Sequence, residues 1–279
     1  MCAGWRELSV SGGGVGSVSG IRAGGLFRLC VTVLALLCVA PHATGQSLRV
    51  LTEEWPPFNF KTSEGAAGLA AEMARNLLDD AGLVTQAEFM PWNRVYQIAQ
   101  HTPNVLIFTL ARTPERESQF EWVLKVSDRA MSLYRLKSRP EVNVSDLESA
   151  KQYRVGTGPK SDTSTQFLLR SGFIPGHNLE PVQTEAADRS NLRKLVAGRI
   201  DLMVSHPLTI EFTADRIGID SRQLERALTL PEKDAGYWIA LSKQSDPVLL
   251  ARLRAAAVRL EKDGGLEKIR RRYLTPERP

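Results

Sequence analysis

Residues 106–116 read Leu-Ile-Phe-Thr-Leu-Ala-Arg-Thr-Pro-Glu-Arg, an apolar run that breaks at a proline and ends between two arginines. Leu106 to Leu110 has few polar positions, the pattern of a strand covered on both faces, and such strands are typical of parallel sheet in an α/β domain. Open parallel sheets bind ligands beyond the carboxyl ends of their strands. At that end this strand presents Arg112 and Arg116. A guanidinium pairs bidentately with a carboxylate, so either arginine is a candidate anion anchor. Either is equally a candidate for a surface ion pair with Glu115, Glu117 or Glu121.

Upstream, Leu48, Val50 and Thr52 alternate with polar residues and run into Trp55-Pro56-Pro57-Phe58, where two prolines end a first strand in a rigid loop. From Leu69, apolar residues Met73, Ala74, Leu77, Leu78 and Ala81 recur at helical spacing until Gly82 supplies a stop. A second helical stretch surrounds Val95 to Ala99. Downstream the same grammar restarts near residue 140. Arg154-Val155-Gly156 reads as a strand, Thr163 to Arg170 as a helix stopped near Gly172, Leu192, Leu195 and Val196 as a helical face before Gly198, and Ile200, Leu202 and Val204 as a further strand. Met131 to Lys137 and Tyr237 to Ser242 are extended stretches flanking this second unit. The chain is therefore expected to leave one lobe, build another and return, with a two-segment hinge. Asp246-Pro247 opens a last helix carrying Leu249, Leu250, Leu253, Ala257 and Leu260, which should pack back on the first lobe. The fold class expected is two α/β lobes in a periplasmic-binding-protein arrangement, each a mainly parallel sheet flanked by helices. The expected division is 1–45 as a leader, 46–136 as the first part of lobe one, 137–232 as lobe two, and 233–279 as the return to lobe one.

The leader has the order of a secretory signal peptide: Arg22 and Arg28, then the apolar run Leu29 to Ala40, then Ala43 and Gly45 at small-x-small spacing before Gln46. Its 12-residue apolar run falls short of the roughly 20 residues that span a bilayer. Cys2, Cys30 and Cys38 all lie in the part removed, so the protein from Gln46 onward is expected to have no disulfide. It would carry 33 basic and 30 acidic residues. That balance is too mild to suggest nucleic acid, and Lys268, Arg270, Arg271 and Arg272 read as the solvated face of a terminal helix. A catalytic reading finds no nucleophile elbow, phosphate loop or metalloprotease helix. His101, His177 and His206 lie far apart and point to no metal site. No cofactor is expected.

As a whole the chain resembles extracellular solute-binding protein family 3, the periplasmic receptors of polar amino acid importers. The resemblance rests on the opening strand into Trp55-Pro56-Pro57-Phe58, on Gly68-Leu69-Ala70-Ala71-Glu72, and on Thr113-Pro114-Glu115-Arg116. Val155-Gly156, Gly198-Arg199-Ile200-Asp201 and the closing Asp263-Gly264-Gly265 to Tyr273 complete it. It implies that Arg116 grips a ligand carboxylate, that Trp55 lies against the ligand, and that main-chain groups near Thr109 and Ala111 add hydrogen bonds. In the second lobe it implies a backbone N–H contribution from Lys160-Ser161-Asp162-Thr163 at a helix start, although Ser161 and Asp162 could equally serve as caps. Five residues after Asp201, where amino acid binders of this family usually carry an acid for the ligand's ammonium group, this chain has His206. Trp92 and Arg94 could extend the pocket from lobe one, with core packing an equal reading for Trp92. The resemblance implies a monomeric, non-enzymatic periplasmic receptor for a small solute, serving an inner-membrane ABC permease or a sensor protein. A dehydratase on the same scaffold would need a positioned acid, for which Glu53 and Asp162 are the candidates.

Overall fold

A computed structural model describes residues 47–184, 186–232 and 236–274; the leader and the cleavage point near Gln46 lie outside them. In the first lobe, β1 (Arg49–Thr52) leads to the hairpin β2 (Phe60–Thr62) and β3 (Gly65–Ala67). Then come α1 (Leu69–Asp80), β4 (Ala87–Phe89), α2 (Trp92–His101), β5 (Val105–Ala111) and β6 (Phe120–Ser127). The second lobe contains β7 (Ser132–Leu136), α3 (Leu147–Ala150), β8 (Val155–Thr157), α4 (Thr163–Arg170), β9 (Leu179–Pro181), α5 (Ala187–Val196), β10 (Leu202–Ser205), α6 (Pro207–Arg216) and β11 (Leu224–Thr229). The chain then returns with β12 (Tyr237–Ser242), α7 (Pro247–Lys262) and α8 (Gly265–Leu274).

The sheets run β4-β1-β5-β12-β6 and β11-β7-β10-β8-β9. In each, four strands point one way and one opposes them, β12 in the first and β7 in the second. Both opposing strands are the ones by which the chain enters from the other lobe. β7 belongs to the second sheet, so the first crossing lies before residue 132 and not at 136. Alternation along a strand reports its faces and not which neighbour it pairs with, which is why the sequence division placed this strand with the first lobe.

β5 is buried at every position, as its apolar run requires. Leu106 and Phe108 face a core completed by α1, α7 and α8, while Val105, Ile107 and Leu110 face a second one completed by α2. Each fully buried aliphatic side chain contributes about 1.5–3 kcal/mol of apolar transfer, so this strand is the spine of the lobe. The second lobe repeats the sandwich with α4 on one face of its sheet and α5 and α6 on the other. α7 returns to lobe one as expected, opened by Asp246, whose carboxylate accepts from the Val248 N–H at 2.8 Å. The basic tail is a solvated face as expected, with Lys268, Arg271 and Arg272 exposed, and two of its arginines also tie it to the lobe. Arg270 donates to the carbonyls of Lys125 and Val126 at 2.6 and 3.1 Å, and Arg272 pairs with Glu72 at 2.6 Å.

Two stretches far apart in the sequence pattern form a single device. The carbonyls of Pro57 and Phe58 accept from the N–H groups of Leu69 and Ala70 at 2.9 and 2.8 Å, so the proline loop caps α1 with its own backbone. That approach requires Gly68, which sits at φ 108°, ψ 170°, a region open essentially to glycine alone. A Cβ there would lie 2.5 Å from the Pro57 oxygen and 2.6 Å from that of Phe58. Gly68→Ala is therefore expected to lower the unfolding free energy by about 2 kcal/mol or more. Urea denaturation checks this, and an unchanged midpoint would show that the loop yields.

Candidate functional site

A cleft of about 230 Å³ opens between the lobes. Lobe one lines it with Trp55, Trp92, Thr109, Ala111 and Arg116, and lobe two with Ser161, Asp162, Thr163, Thr184 and Asp188. Arg129 and Tyr237, one from each crossing, close its base. The structure thus brings together seven of the nine residues singled out in the sequence and leaves out Arg94 and His206.

The lobe-one wall is made by an irregularity in β5. Thr109 is buried and has φ 65°, the left-handed region that a β-branched residue rarely enters. Its hydroxyl donates to Asn59 Oδ1 at 2.5 Å, tying it to the loop that carries Trp55. The pairing of β5 with β12 shifts register between Trp238 and Ala240, beside this residue. Such a bulge re-aims the chain and unpairs main-chain groups, which puts Thr109 and Ala111 on the cleft.

The two arginines beyond this strand have different partners. Arg112 is held by Glu117 through contacts of 2.8 and 2.5 Å and lies 4.5 Å above the Trp238 ring, an outer structural clamp. Arg116 lies 4.9 Å from the centre of the Tyr96 ring and gives one hydrogen bond, to the Ala111 carbonyl at 3.2 Å. Among the described residues it makes no ion pair, and it is one of the residues lining the cleft. Tyr96 is itself fixed by its hydroxyl, which donates to Gln119 at 2.8 Å. Arg94, one turn away on α2, is exposed and off the cleft. Trp92 serves both of its readings, half-buried against the core below and lining the cleft above.

Trp55 stacks on Phe58 at 4.6 Å and meets Tyr237 edge-on at 5.1 Å, which fixes its ring against the cleft floor. In lobe two, Asp162 caps α4, its Oδ1 accepting from Ser164 and Thr165 N–H at 2.8 and 3.1 Å. The capping reading of this residue therefore holds. It also lines the cleft, as Ser161 does.

His206 is elsewhere. Its ring is 4% exposed, 5.0 Å from the Phe58 ring, and it caps α6 by accepting the Leu208 N–H on Nδ1 at 3.2 Å. Burial pushes its pKa down to about 4, against a raising hydrogen bond to the Asp128 backbone and a lowering charge on Arg129. It is a neutral packing residue beneath the cleft, so an acid at position 206 would face the aromatic layer and not a ligand.

The residues missed in the sequence are Asp188, Arg129 and Glu232. Asp188 sits in the first turn of α5, where an acid ordinarily only complements the helix dipole, and this hid it. Its carboxylate accepts from Ser205 Oγ at 3.0 Å. Desolvation pushes its pKa up to about 6, with the Asp162 charge adding to the rise. Arg129 and Glu232 form a 2.7 Å ion pair, 2% and 6% exposed, linking the two crossings. Ser164 joins them, accepting from Arg129 at 2.5 Å and donating to Glu232 at 3.2 Å. Neither had a pattern to be found by. Among the described residues no cluster could hold a metal ion, and no helix is long and apolar enough to cross a membrane.

Two α/β lobes joined by two crossings, with a polar and aromatic cleft between them, define the class of two-lobed binding proteins. The chain belongs to the bacterial extracellular solute-binding proteins, family 3, whose profile matches residues 48–276. It is 22% identical over 270 residues to the arginine-binding extracellular protein ArtP of Bacillus subtilis (strain 168), covering 91% of this chain and 97% of that one. Its fold is similar to a histidine kinase sensor domain resembling periplasmic binding proteins, with TM-score 0.69 and 19% identity over 83% of this chain and 97% of that one. It is also similar to an ancestral arginine-binding protein bound to glutamine, with TM-score 0.65 and 21% identity over 81% and 97%. At the family level this is a binding protein and not an enzyme.

His206 sets a pH dependence. A histidine whose folded pKa lies below its unfolded value contributes stability that is complete above about pH 6.5 and is lost as pH falls toward 4. Wild type should therefore lose up to about 3 kcal/mol relative to His206→Asn across that window, since asparagine keeps the cap but does not titrate. Denaturation midpoints at a series of pH values check this; parallel curves would show that the ring is solvated.

Proposed function

We propose that this protein is an exported receptor that captures a small, carboxylate-bearing polar solute by closing its lobes over it and presents it to an inner-membrane ABC permease. The observation that carries this reading is Arg116, which lines the cleft, is held by Tyr96 and the Ala111 carbonyl, and forms no ion pair among the described residues. A guanidinium fixed at the cleft with spare donors suits a planar anion. The Trp55 ring supplies an apolar face, and the main chain at Thr109 and Ala111 supplies polar groups. Export by the leader, with cleavage near Gln46, fits an extracellular family. Binding to both walls would favour the closed state over the open one. No chemistry on the ligand is required, and Asp162, a candidate acid for a dehydratase, is engaged as a helix cap. A second reading, in which a sensor protein detects the closed form, draws on the likeness to a histidine kinase sensor domain.

A charge-assisted hydrogen bond contributes about 1.5–3 kcal/mol, so Arg116→Ala should weaken binding of a carboxylate ligand by about ten- to a hundredfold. Arg116→Lys should recover only part of this, because an ammonium lacks the fork. Titration calorimetry with amino acids and dicarboxylates decides the matter, and full affinity in Arg116→Ala would move the anchor elsewhere. Small-angle scattering should show a smaller radius of gyration with saturating ligand; an identical profile with a bound ligand would mean that the lobes do not close.

A further inference from the structure

Helix α6 of the second lobe carries two apolar stripes that serve different lobes. Ile210 and Ala214 face the core of its own lobe. Leu208, on the other side, packs against the core of lobe one. Four residues further along, Phe212 meets Phe60 of the small hairpin β2–β3 in lobe one, with ring centres 5.8 Å apart. Both rings are half-buried, and neither belongs to the core of its own lobe. The guanidinium of Arg216 covers Phe212 from outside, 4.8 Å from the ring centre. At the base of the same helix, His206 lies 5.0 Å from Phe58 and 6.3 Å from Tyr237, so this seam starts where the chain returns to lobe one and runs outward. An α-helix rises about 1.5 Å per residue, which puts Phe212 about 9 Å further along than His206. Phe60, Leu208, Phe212 and Arg216 are all outside the cleft lining.

A contact that neither lobe needs for its own core acts on the position of one lobe relative to the other. We infer that Phe60, Leu208, Phe212 and Arg216 form an apolar clasp that holds the two lobes together without a ligand, so that the closed state is already populated in the empty protein. This rests on the reading of the protein as a receptor that closes over its solute, and adds a ligand-independent contribution to that equilibrium. Apparent affinity scales with the fraction of protein in the binding-competent state. The clasp would therefore set how tightly the receptor binds without touching what it binds, and every solute would benefit from it alike. Affinity could then be tuned on the hairpin and on α6 while the residues lining the cleft, and with them selectivity, stay fixed.

The test needs no ligand. The chain from Gln46 onward contains no cysteine, so Gln97→Cys on α2 and Arg170→Cys on α4, both exposed positions, can carry one nitroxide label on each lobe. Pulsed dipolar spectroscopy then reads the distribution of distances between the lobes. With the clasp intact, one short distance should predominate in the empty protein. Phe60→Ala and Phe212→Ala remove the same contact from its two sides, and each should change the ratio of short to long distances by about two- to tenfold in favour of the long. The double variant should go little beyond the larger single effect, because there is one contact to lose. If Phe212→Ala does not fold, Phe60→Ala on the hairpin decides alone. Distributions in both alanine variants that match the intact protein would overturn the clasp. So would a shift in Phe212→Ala that Phe60→Ala does not share, which would make Phe212 a packing residue of lobe two, or a wholly long distance in the empty protein with the clasp intact. The receptor reading fails separately, if Arg116→Ala leaves the affinities for amino acids and dicarboxylates unchanged, and that result leaves the ligand-free distances as they are.

Discussion

The ion pair between Arg129 and Glu232 joins the two stretches of chain that pass between the lobes, and the geometry of the cleft depends on it. Two charges this deeply buried are unfavourable unless each is matched, and the desolvation of each ion alone amounts to several kcal/mol. Here the match is complete: Glu232 accepts from Arg129 and Ser164, and Arg129 also donates to Ser164 and to the Tyr237 hydroxyl at 3.2 Å. Because Ser164 lies in the first turn of α4 and Tyr237 begins β12, this network fastens the first helix of the lobe-two wall to the returning strand of lobe one. Removing either charge would strand the other in a site that cannot solvate it. The pair therefore fixes which crossing lies beside which, and with that the position of α4 opposite Arg116.

The lobe-one wall rests on a different expedient, a local departure from regular strand geometry. All seven residues of β5 are buried, as in a doubly covered strand, but Thr109 leaves the strand region of backbone geometry. A left-handed threonine costs on the order of 1–3 kcal/mol and persists only where its surroundings over-determine it. Asn59 supplies that constraint through the Thr109 hydroxyl, and Asn59 in turn donates from Nδ2 to the Glu53 carbonyl at 2.7 Å. The loop after β1 and the kink in β5 are thus held by one side chain. Trp55, Thr109 and Ala111 reach the same cleft because of it, although they are separated by more than fifty residues of chain.

What could be read from the sequence was what repeats or punctuates. The helical spacing from Leu69 to Ala81, the glycine at 82 with φ 66°, the strand at 106–110 and the Asp246-Pro247 helix start all express local rules and appear where those rules put them. Arg116 was legible because a strand end and a proline turn present it. Family likeness made Trp55 legible. Asp188 was not, since an acid in the first turn of a helix looks like a dipole complement whether or not a cleft lies above it. His206 misled for the reverse reason. Its place in the chain suggested a ligand contact, whereas the ring turns inward onto Phe58 and Tyr237, an orientation decided by packing from the other lobe. Arg129 and Glu232 lie in irregular segments about a hundred residues apart, and no periodicity connects them.

The distribution of charge over the two walls bears directly on how binding could be coupled to closure. A ligand shifts a conformational equilibrium only by its difference in affinity for the two states, so a solute held by one wall alone would bind without moving the lobes. Among the described residues, Arg116 on lobe one and Asp162 and Asp188 on lobe two line the cleft without forming an ion pair. On the proposed reading, the solute's carboxylate would meet Arg116 on lobe one and its other polar groups the lobe-two wall, a set of contacts complete only when the lobes are together. Selectivity and closure would then have one physical origin: the groups of both walls that a solute must satisfy together are also those that favour the closed state over the open one.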